Sequence, residues 1–302
     1  MTSGSFGNRE SGSASAMSIR SLKERFKRLQ RGPFRWLVAL VATIHQSVIH
    51  RSPVLIFVDR EGDWHNCRHD AIFIAPELNV SSYKAVRTAT IDLWCHDCNL
   101  QNGDIVIDIG AGIGDDVLAF SRLVGAEGRV IAIEAHPRTF RCLVKTIAAN
   151  RLENVIALNV AVSDQEGSVT ISSEENFLSN SIVAGIGATT IRAARFDHIF
   201  SELKLARPKL IKMNIEGAET AALRGMDESL STTPHIVVSC HDFKADRGED
   251  QALRTYKDVN QILQNAGYAL RSRGEDHRKE VRYYVYGGKG INPERNRSGP
   301  AK

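Results

Sequence analysis

The chain has 302 residues, of which 42% are hydrophobic and 25% charged, the balance of an ordinary globular protein long enough to bury a full core without staples. Its net charge of +4 is uneven: residues 1–35 carry +6 and residues 287–302 carry +3, leaving −5 on residues 36–286, so a basic body that grips nucleic acid is not indicated. Five cysteines (Cys67, Cys95, Cys98, Cys142, Cys240) form no disulfide framework and point to a reducing, intracellular compartment, the cytoplasm.

Residues 1–19 are rich in Ser and Gly and cannot bury enough apolar surface to order themselves. Residues 20–80 form an N-terminal extension. Leu22, Phe26 and Leu29 recur there at helical spacing between basic residues, and residues 36–50 contain no Asp, Glu, Lys or Arg. That uncharged run is 15 residues long and holds His45, Gln46, Ser47 and His50, whereas a membrane span needs about 17–25 apolar residues. "HQSVIHRSP" is a poor leader-cleavage site. Two placements stay open for residues 20–50: a helix packed on the body or a partner, or an interfacial helix at the periphery of an anionic membrane, where basic residues beside Phe26, Phe34 and Trp36 suit the geometry. "PVLIFVD" and "DAIFIAP" read as short strands.

From residue 81 to 288 strands and helices alternate. A helix over 81–98 starts at Ser81 or Ser82. "DIVIDIG" is a strand, 115–124 a helix, "RVIAIEA" a strand, and "PRTFRCLVKTIAAN" a helix with Pro137 in its first turn. "NVIALNVAV" and "GSVTIS" are strands, and 173–195 is a glycine-dotted loop able to shape a substrate pocket. "RFDHIFSEL" is a short helix, "KLIKMNI" a strand, 217–230 a helix and "HIVVSC" a strand. A helix over 249–266 stops at Gly267, and "YALRSR" and "VRYYVYG" close the domain as an antiparallel pair. Residues 289–302 are a disordered basic tail. This order implies a mostly parallel α/β sheet with helices on both faces, which binds ligands at the carboxyl ends of its strands.

"VIDIGAGIGDDVLAF" places Gly110, Gly112 and Gly114 between the first strand of this sheet and its helix. Glycine loops let a ligand approach the backbone closely, and such loops usually cradle phosphate. Here Asp108 precedes the loop and Asp115 and Asp116 follow it. Against a phosphate, each like-charge pair at about 4 Å would cost about 4 kcal/mol at an effective dielectric near 20. S-adenosylmethionine reverses the sign, having an ammonium, a sulfonium and no phosphate. Asp115 and Asp116 can equally be first-turn acids of the helix. Glu134, ending "VIAIEA", can accept both hydroxyls of a ribose. An NAD-dependent oxidoreductase is disfavoured by Asp108 and by the G-x-G-x-G spacing.

The stretch from Val106 to Ile171, together with "TTIRAARFDHIFSELKLARPKLIKMNIEGAETAALRGM", resembles the FkbM family of methyltransferases over roughly residues 85–245. The "N-I-E-G-A-E" segment is its more specific part. The resemblance implies the Rossmann-like, seven-stranded class I methyltransferase sheet with an antiparallel last strand. It implies methyl transfer, usually to a hydroxyl of a sugar, glycolipid or related metabolite. By position, Asp108, Gly110, Ala111, Gly112 and Gly114 would line the methionine end, Glu134 would hold the ribose, and Asn159 and Val160 would frame the adenine. The family usually has Asp where this chain has Asn214, which is neither a base nor a strong metal ligand; no metal site is expected.

The acceptor proton needs a base at the carboxyl end of the fourth or fifth strand. Asn214 and Glu216 after "KLIKM" and His241 after "HIVVSC" qualify, with His241 the leading base because imidazole titrates near neutrality and Glu216 an orienting group or helix cap. Glu219 reads as fold support. "WCHDC" and "HNCRH" resemble zinc ligands, but one C-x-x-C needs further ligands at the right distance. The alternative to an enzyme is a methyltransferase-like module recruited to a membrane or assembly by its basic arm. The acceptor, a small molecule or glycan, is not named by any motif.

Overall fold

The computed structural model describes residues 28–171, 189–204 and 206–290; the readings of residues 1–27, of 172–188 within the loop and of the tail beyond 290 lie outside them. Helix α1 (Arg35–His50) leads into an antiparallel sheet of β1 (Val54–Val58), β2 (Trp64–Arg68) and β3 (Ile72–Ala75). Strand β2 has no apolar signature. It forms because Asp59 Oδ1 accepts the N–H groups of Glu61 and Asp63, both at 2.9 Å, and Gly62 takes φ +86°, closing a tight turn. Trp64 and Asn66 then point inward.

Helix α2 (Tyr83–Leu93) is capped by Ser82, whose hydroxyl accepts from Ala85 N. It stops short of residue 98, and Trp94 and Cys98 turn into the core. The main elements follow: β4 (Ile105–Ile109), α3 (Asp115–Val124), β5 (Arg129–Ile133), α4 (Pro137–Ala149) and β6 (Val155–Leu158). The strand expected over "NVIALNVAV" divides at Asn159–Val160. β6 stays in the main sheet, while β7 (Ala161–Val162) leaves it to pair with β9 (Thr189–Ala194), whose other edge carries β8 (Gly167–Ile171), in a separate three-stranded sheet. Residues 189–194 are thus a strand where a loop was expected. The polar side chains of "TTIRAA" alternate with buried Ile191 and Ala193.

After α5 (Phe196–Glu202) and β10 (Leu210–Met213), the helix expected over 217–230 is broken into α6 (Glu219–Arg224) and α7 (Asp227–Thr232). The break falls at Gly225, where a Cβ would lie 2.1 Å from the Ser163 carbonyl. β11 (His235–Ser239) precedes α8 (Asp242–Ala245) and α9 (Tyr256–Asn265). Helix α9 begins later than expected because Asp242 Oδ2 accepts Thr255 N at 3.1 Å and Tyr256 N at 3.0 Å, which sets its first turn. β12 (Ala269–Arg271) and β13 (Tyr284–Gly288) close the chain. Lys289 is held by the carbonyls of Leu230 and Ser231, so the described chain runs on ordered contacts past the expected tail boundary.

The seven-stranded sheet runs β12-β13-β11-β10-β4-β5-β6, with β13 antiparallel to both neighbours. This is the class I methyltransferase arrangement, mostly parallel with an antiparallel last strand. Side chains alternate across it. Ile107, Ile109, Ile211 and Val238 meet α5, α6 and α9 through Phe196, Leu223 and Val259. Val106, Val130, Leu210 and Val237 meet α2, α3 and α4 through Trp94, Phe120 and Leu143. Strand order reverses between β4 and β10, so the crevice at their carboxyl ends is the topological switch point.

Candidate functional site

Three segments converge at that switch point. The first is the glycine loop. Gly110, Gly112 and Gly114 all take positive φ (+77°, +58°, +92°), and the N–H groups of Gly110 and Ala111 both donate to the Ile133 carbonyl at 2.9 Å. A Cβ on Gly110 would lie 2.0 Å from the Asn214 carbonyl, while one on Gly112 would meet no atom within 4 Å. Gly110 therefore lets β4 and β10 close up, and Gly112 borders open space.

The second segment is the end of β5. Glu134 accepts Gly112 N at 2.9 Å and His136 N at 2.8 Å. Asn159 Nδ2 donates to the Glu134 and Ala135 carbonyls, tying the end of β6 to that of β5. Val160 is buried in the core. Asn159 and Val160 are the two residues that sequence assigned to the adenine.

Asp108 is fully buried, and it is not the bare carboxylate the sequence implied. Lys212 of β10 stands beside it in register, with Nζ 2.6 Å from Asp108 Oδ1 and 2.7 Å from the Gly110 carbonyl. Asp108 Oδ2 has no hydrogen-bond partner. Sequence reasoning missed Lys212, although a single charge inside the apolar strand "LIKM" was a readable signal. Asp116 is also spoken for, accepting Thr90 Oγ1 at 2.7 Å and Trp94 Nε1 at 2.9 Å, which docks α2 onto α3. Asp115 keeps a buried Oδ1 without a partner.

These carboxylates outnumber their cation. Burial pushes Asp108 up to about 6 against the pull of Lys212. Burial, with Asp116 alongside, pushes Asp115 up to about 7. Burial raises Glu134 to about 7 despite its two N–H donors. A group that brings positive charge would relieve all three, and a phosphate would oppose them. The unpartnered oxygens of Asp108 and Asp115 and the open side of Gly112 fit the ammonium and sulfonium end of S-adenosylmethionine.

The third segment follows β10 and β11. Asn214 N donates to the Ile109 carbonyl at 3.0 Å, and its side-chain Oδ1 is buried without a partner. His241 is buried between two carboxylates, with Nδ1 3.0 Å from Glu219 Oε1 and Nε2 3.4 Å from Glu216 Oε1. Burial alone would lower its pKa, but hydrogen bonds to Glu216 and Glu219 overcome it and hold His241 at about 9. It is therefore an imidazolium at neutral pH, with no lone pair to offer. Glu216, at φ +52°, also pairs with Lys244. Burial works against its charge, yet the hydrogen bond from His241 and the pairing with Lys244 keep its carboxyl below the ordinary range. Glu219 is fully enclosed, accepting Gly217 N and Thr255 Oγ1.

The methyltransferase FkbM domain matches residues 108–270. The chain belongs to the FkbM family of methyltransferases. The matched domain is that of S-adenosylmethionine-dependent methyltransferases. Hexuronic acid methyltransferase AglP of Haloferax volcanii is 25% identical over 167 residues, a match that spans 55% of this chain and 64% of that relative's length. Among solved structures, Aeropyrum pernix fibrillarin with bound S-adenosyl-L-methionine aligns over 78% of this chain and 99% of its own at 14% identity and a TM-score of 0.43. M. jannaschii TYW2 in complex with AdoMet aligns over 78% and 91% at 14% identity and a TM-score of 0.41.

Cys95 and Cys98 take no part in the site. Burial raises both thiols to about 12. Among the described residues the carboxylates of Asp59, Glu61 and Asp63 come together, and they converge on the Lys145 ammonium.

Proposed function

We propose that this enzyme methylates a hydroxyl group of a sugar, glycolipid or related metabolite, with Glu216 as the base. The observation that carries the reading is the Glu216–His241–Glu219 row, with the unpartnered side-chain oxygen of Asn214, at the carboxyl ends of β10 and β11. The hexuronic acid methyltransferase AglP supports a sugar acceptor, since it is a sugar enzyme by name.

Bound at the switch point, S-adenosylmethionine supplies an electrophilic methyl group. Asp108 and Asp115 would hold its positive end, Glu134 would take the ribose hydroxyls, and Asn159 and Val160 would border the base. The glycine loop, with Ala111 pinned to β5, sets how deeply the ligand seats. Asn214 presents an acceptor oxygen that an incoming hydroxyl can satisfy, which aligns the hydroxyl for in-line attack. Glu216 is ionised across the neutral range and takes the proton as the oxygen is alkylated. His241 acts on Glu216 as a positioning residue, its charge holding two carboxylates that would otherwise repel.

The test is Glu216→Gln. The substitution keeps the shape and removes the base, so kcat falls by about 10²–10⁴-fold while calorimetric affinity for S-adenosylhomocysteine is unchanged. Full activity in Glu216→Gln would remove Glu216 from the chemistry. Total loss of cofactor binding would mean that it supports the fold instead. Uronic and neutral hexose glycans, offered in parallel, test the acceptor class.

A further inference from the structure

Helix α1 turns its larger apolar side chains outward. It packs on β1 with small and polar residues: Ala39, with Val38 and Ala42 beside it, meets Val54 and Ile56, Thr43 Oγ1 bonds both N and O of Ile56, and Ser47 Oγ bonds both N and O of Val54. The buried residues of the helix are Ala39 and Gln46. These hydroxyls cover a strand edge that would otherwise offer unpaired backbone groups. The consequence is that the apolar residues look outward. Trp36, Leu40, Ile44 and Val48 follow one another at four-residue spacing, flanked by Leu37 and Val41, and all are exposed, Trp36 by 62% and Val48 by 70%. Leu55 and Phe57 add exposed apolar surface on β1.

Such a face requires an apolar medium. The helix is 16 residues long, about 24 Å, and no helix among the described residues is long and apolar enough to cross a membrane. Charge identifies the occupant. From Arg25 to Val58 there is no Asp or Glu, while Arg25, Lys27, Arg28, Arg35 and Arg51 supply five cations besides Arg31, which pairs with Glu77. A second copy docked face to face would bring this acid-free cationic stretch against itself. Residues 1–27, net +3, are no better matched to it. An anionic surface with an apolar interior satisfies both halves of the pattern.

We propose that α1 lies in the interface of an anionic lipid bilayer, its outward face in the acyl boundary and its flanking arginines at the headgroups. This reading is independent of the acceptor assigned above. The sheet that carries α1 also reaches the site, since Ile74 and Ala75 of β3 pack on Ile113 of the glycine loop.

The test is partitioning of the full-length chain onto vesicles of phosphatidylcholine with and without phosphatidylglycerol. Trp64 and Trp94 are buried, so a blue shift in tryptophan emission reports Trp36. The expected result is binding to the anionic vesicles with a blue shift, weakened by high salt. Arg35→Gln with Arg51→Gln should weaken partitioning about thirtyfold, at about fivefold per cation. Ile44→Glu with Val48→Glu should abolish it while leaving circular dichroism and cofactor affinity unchanged, because both residues are mostly exposed. Failure of the full chain to bind at low salt overturns the proposal. So does vesicle binding that Ile44→Glu with Val48→Glu leaves intact. A concentration-dependent dimer in sedimentation velocity, lost in that double variant, would assign the face to a second copy and also overturn it.

Discussion

Gly110 and Gly112 share a residue type and a positive φ but answer different demands. Gly110→Ala drives a Cβ into the Asn214 carbonyl, 2.0 Å away, so the variant should lose several kcal/mol or fail to fold. Gly112→Ala meets no atom of the protein and should cost about 1–2 kcal/mol for its left-handed backbone, yet fill space reserved for the ligand. Denaturant melts and calorimetry with S-adenosylhomocysteine should therefore separate the two, one losing fold and the other chiefly affinity. Titration is a second test at this scale. His241 is raised in the folded state to about 9. Its stabilisation is fully present below the unfolded value near 6.5 and is lost as pH rises through about 9, a swing of about 3 kcal/mol at most. In His241→Gln that pH dependence of the thermal midpoint should vanish. The carboxylates of Asp115 and Glu134, both raised to about 7, cost stability of the ligand-free fold as pH rises through that range, and they act on binding as well. A cationic ligand favours their ionised forms, so S-adenosylmethionine affinity should rise between pH 5.5 and 7.5, with proton release visible as a buffer-dependent heat.

Between elements, the register of β4 against β10 decides how Asp108 behaves. The two strands bring Asp108 and Lys212 side by side with almost no exposure. Removing one member of such a pair is costly, whereas replacing both by apolar groups of similar size is often nearly neutral. Lys212→Met should destabilise by about 3–5 kcal/mol, and Asp108→Leu combined with Lys212→Met should recover most of that. The double variant should still bind S-adenosylmethionine poorly, measured by calorimetry, because the charge facing the ligand has gone. If it bound normally, Asp108 would be a fold residue only. Asp116 plays the plainer part, using both oxygens to hold α2 against α3 through Thr90 and Trp94.

Across the whole molecule, the N-terminal unit and the large sheet are joined by polar contacts from several directions. Asp63, fully buried, takes Arg141 and Lys145 from α4. Asn150 bonds both N and O of Ile72, and Arg138 donates to the Pro76 carbonyl. Units tied this closely should melt together. Calorimetry should show a single unfolding transition, and Asp63→Ala should move it downward as a whole, by about 3 kcal/mol for lost charged hydrogen bonds. Two resolved transitions would show that residues 28–80 fold by themselves.

What the linear order of residues determined was the part governed by local rules. The alternation of apolar strands with capped helices set the sheet and its class. Pro137, Ser82 and the glycine loop marked their own positions because each depends on the backbone of its neighbours. The sign of the ligand's charge was readable from the acids around that loop. Tertiary structure alone decided which acids remained available. Asp108 and Lys212 are more than a hundred residues apart and meet only through strand register; Asp116 is consumed by a helix that precedes it. His241 looked like a base because a lone imidazole titrates near neutrality, and it became a fixed cation once Glu216 and Glu219 closed on it from the end of another strand. The outward apolar face of α1 was equally hidden, since residue spacing reveals an amphipathic helix but not which of its sides the fold will bury.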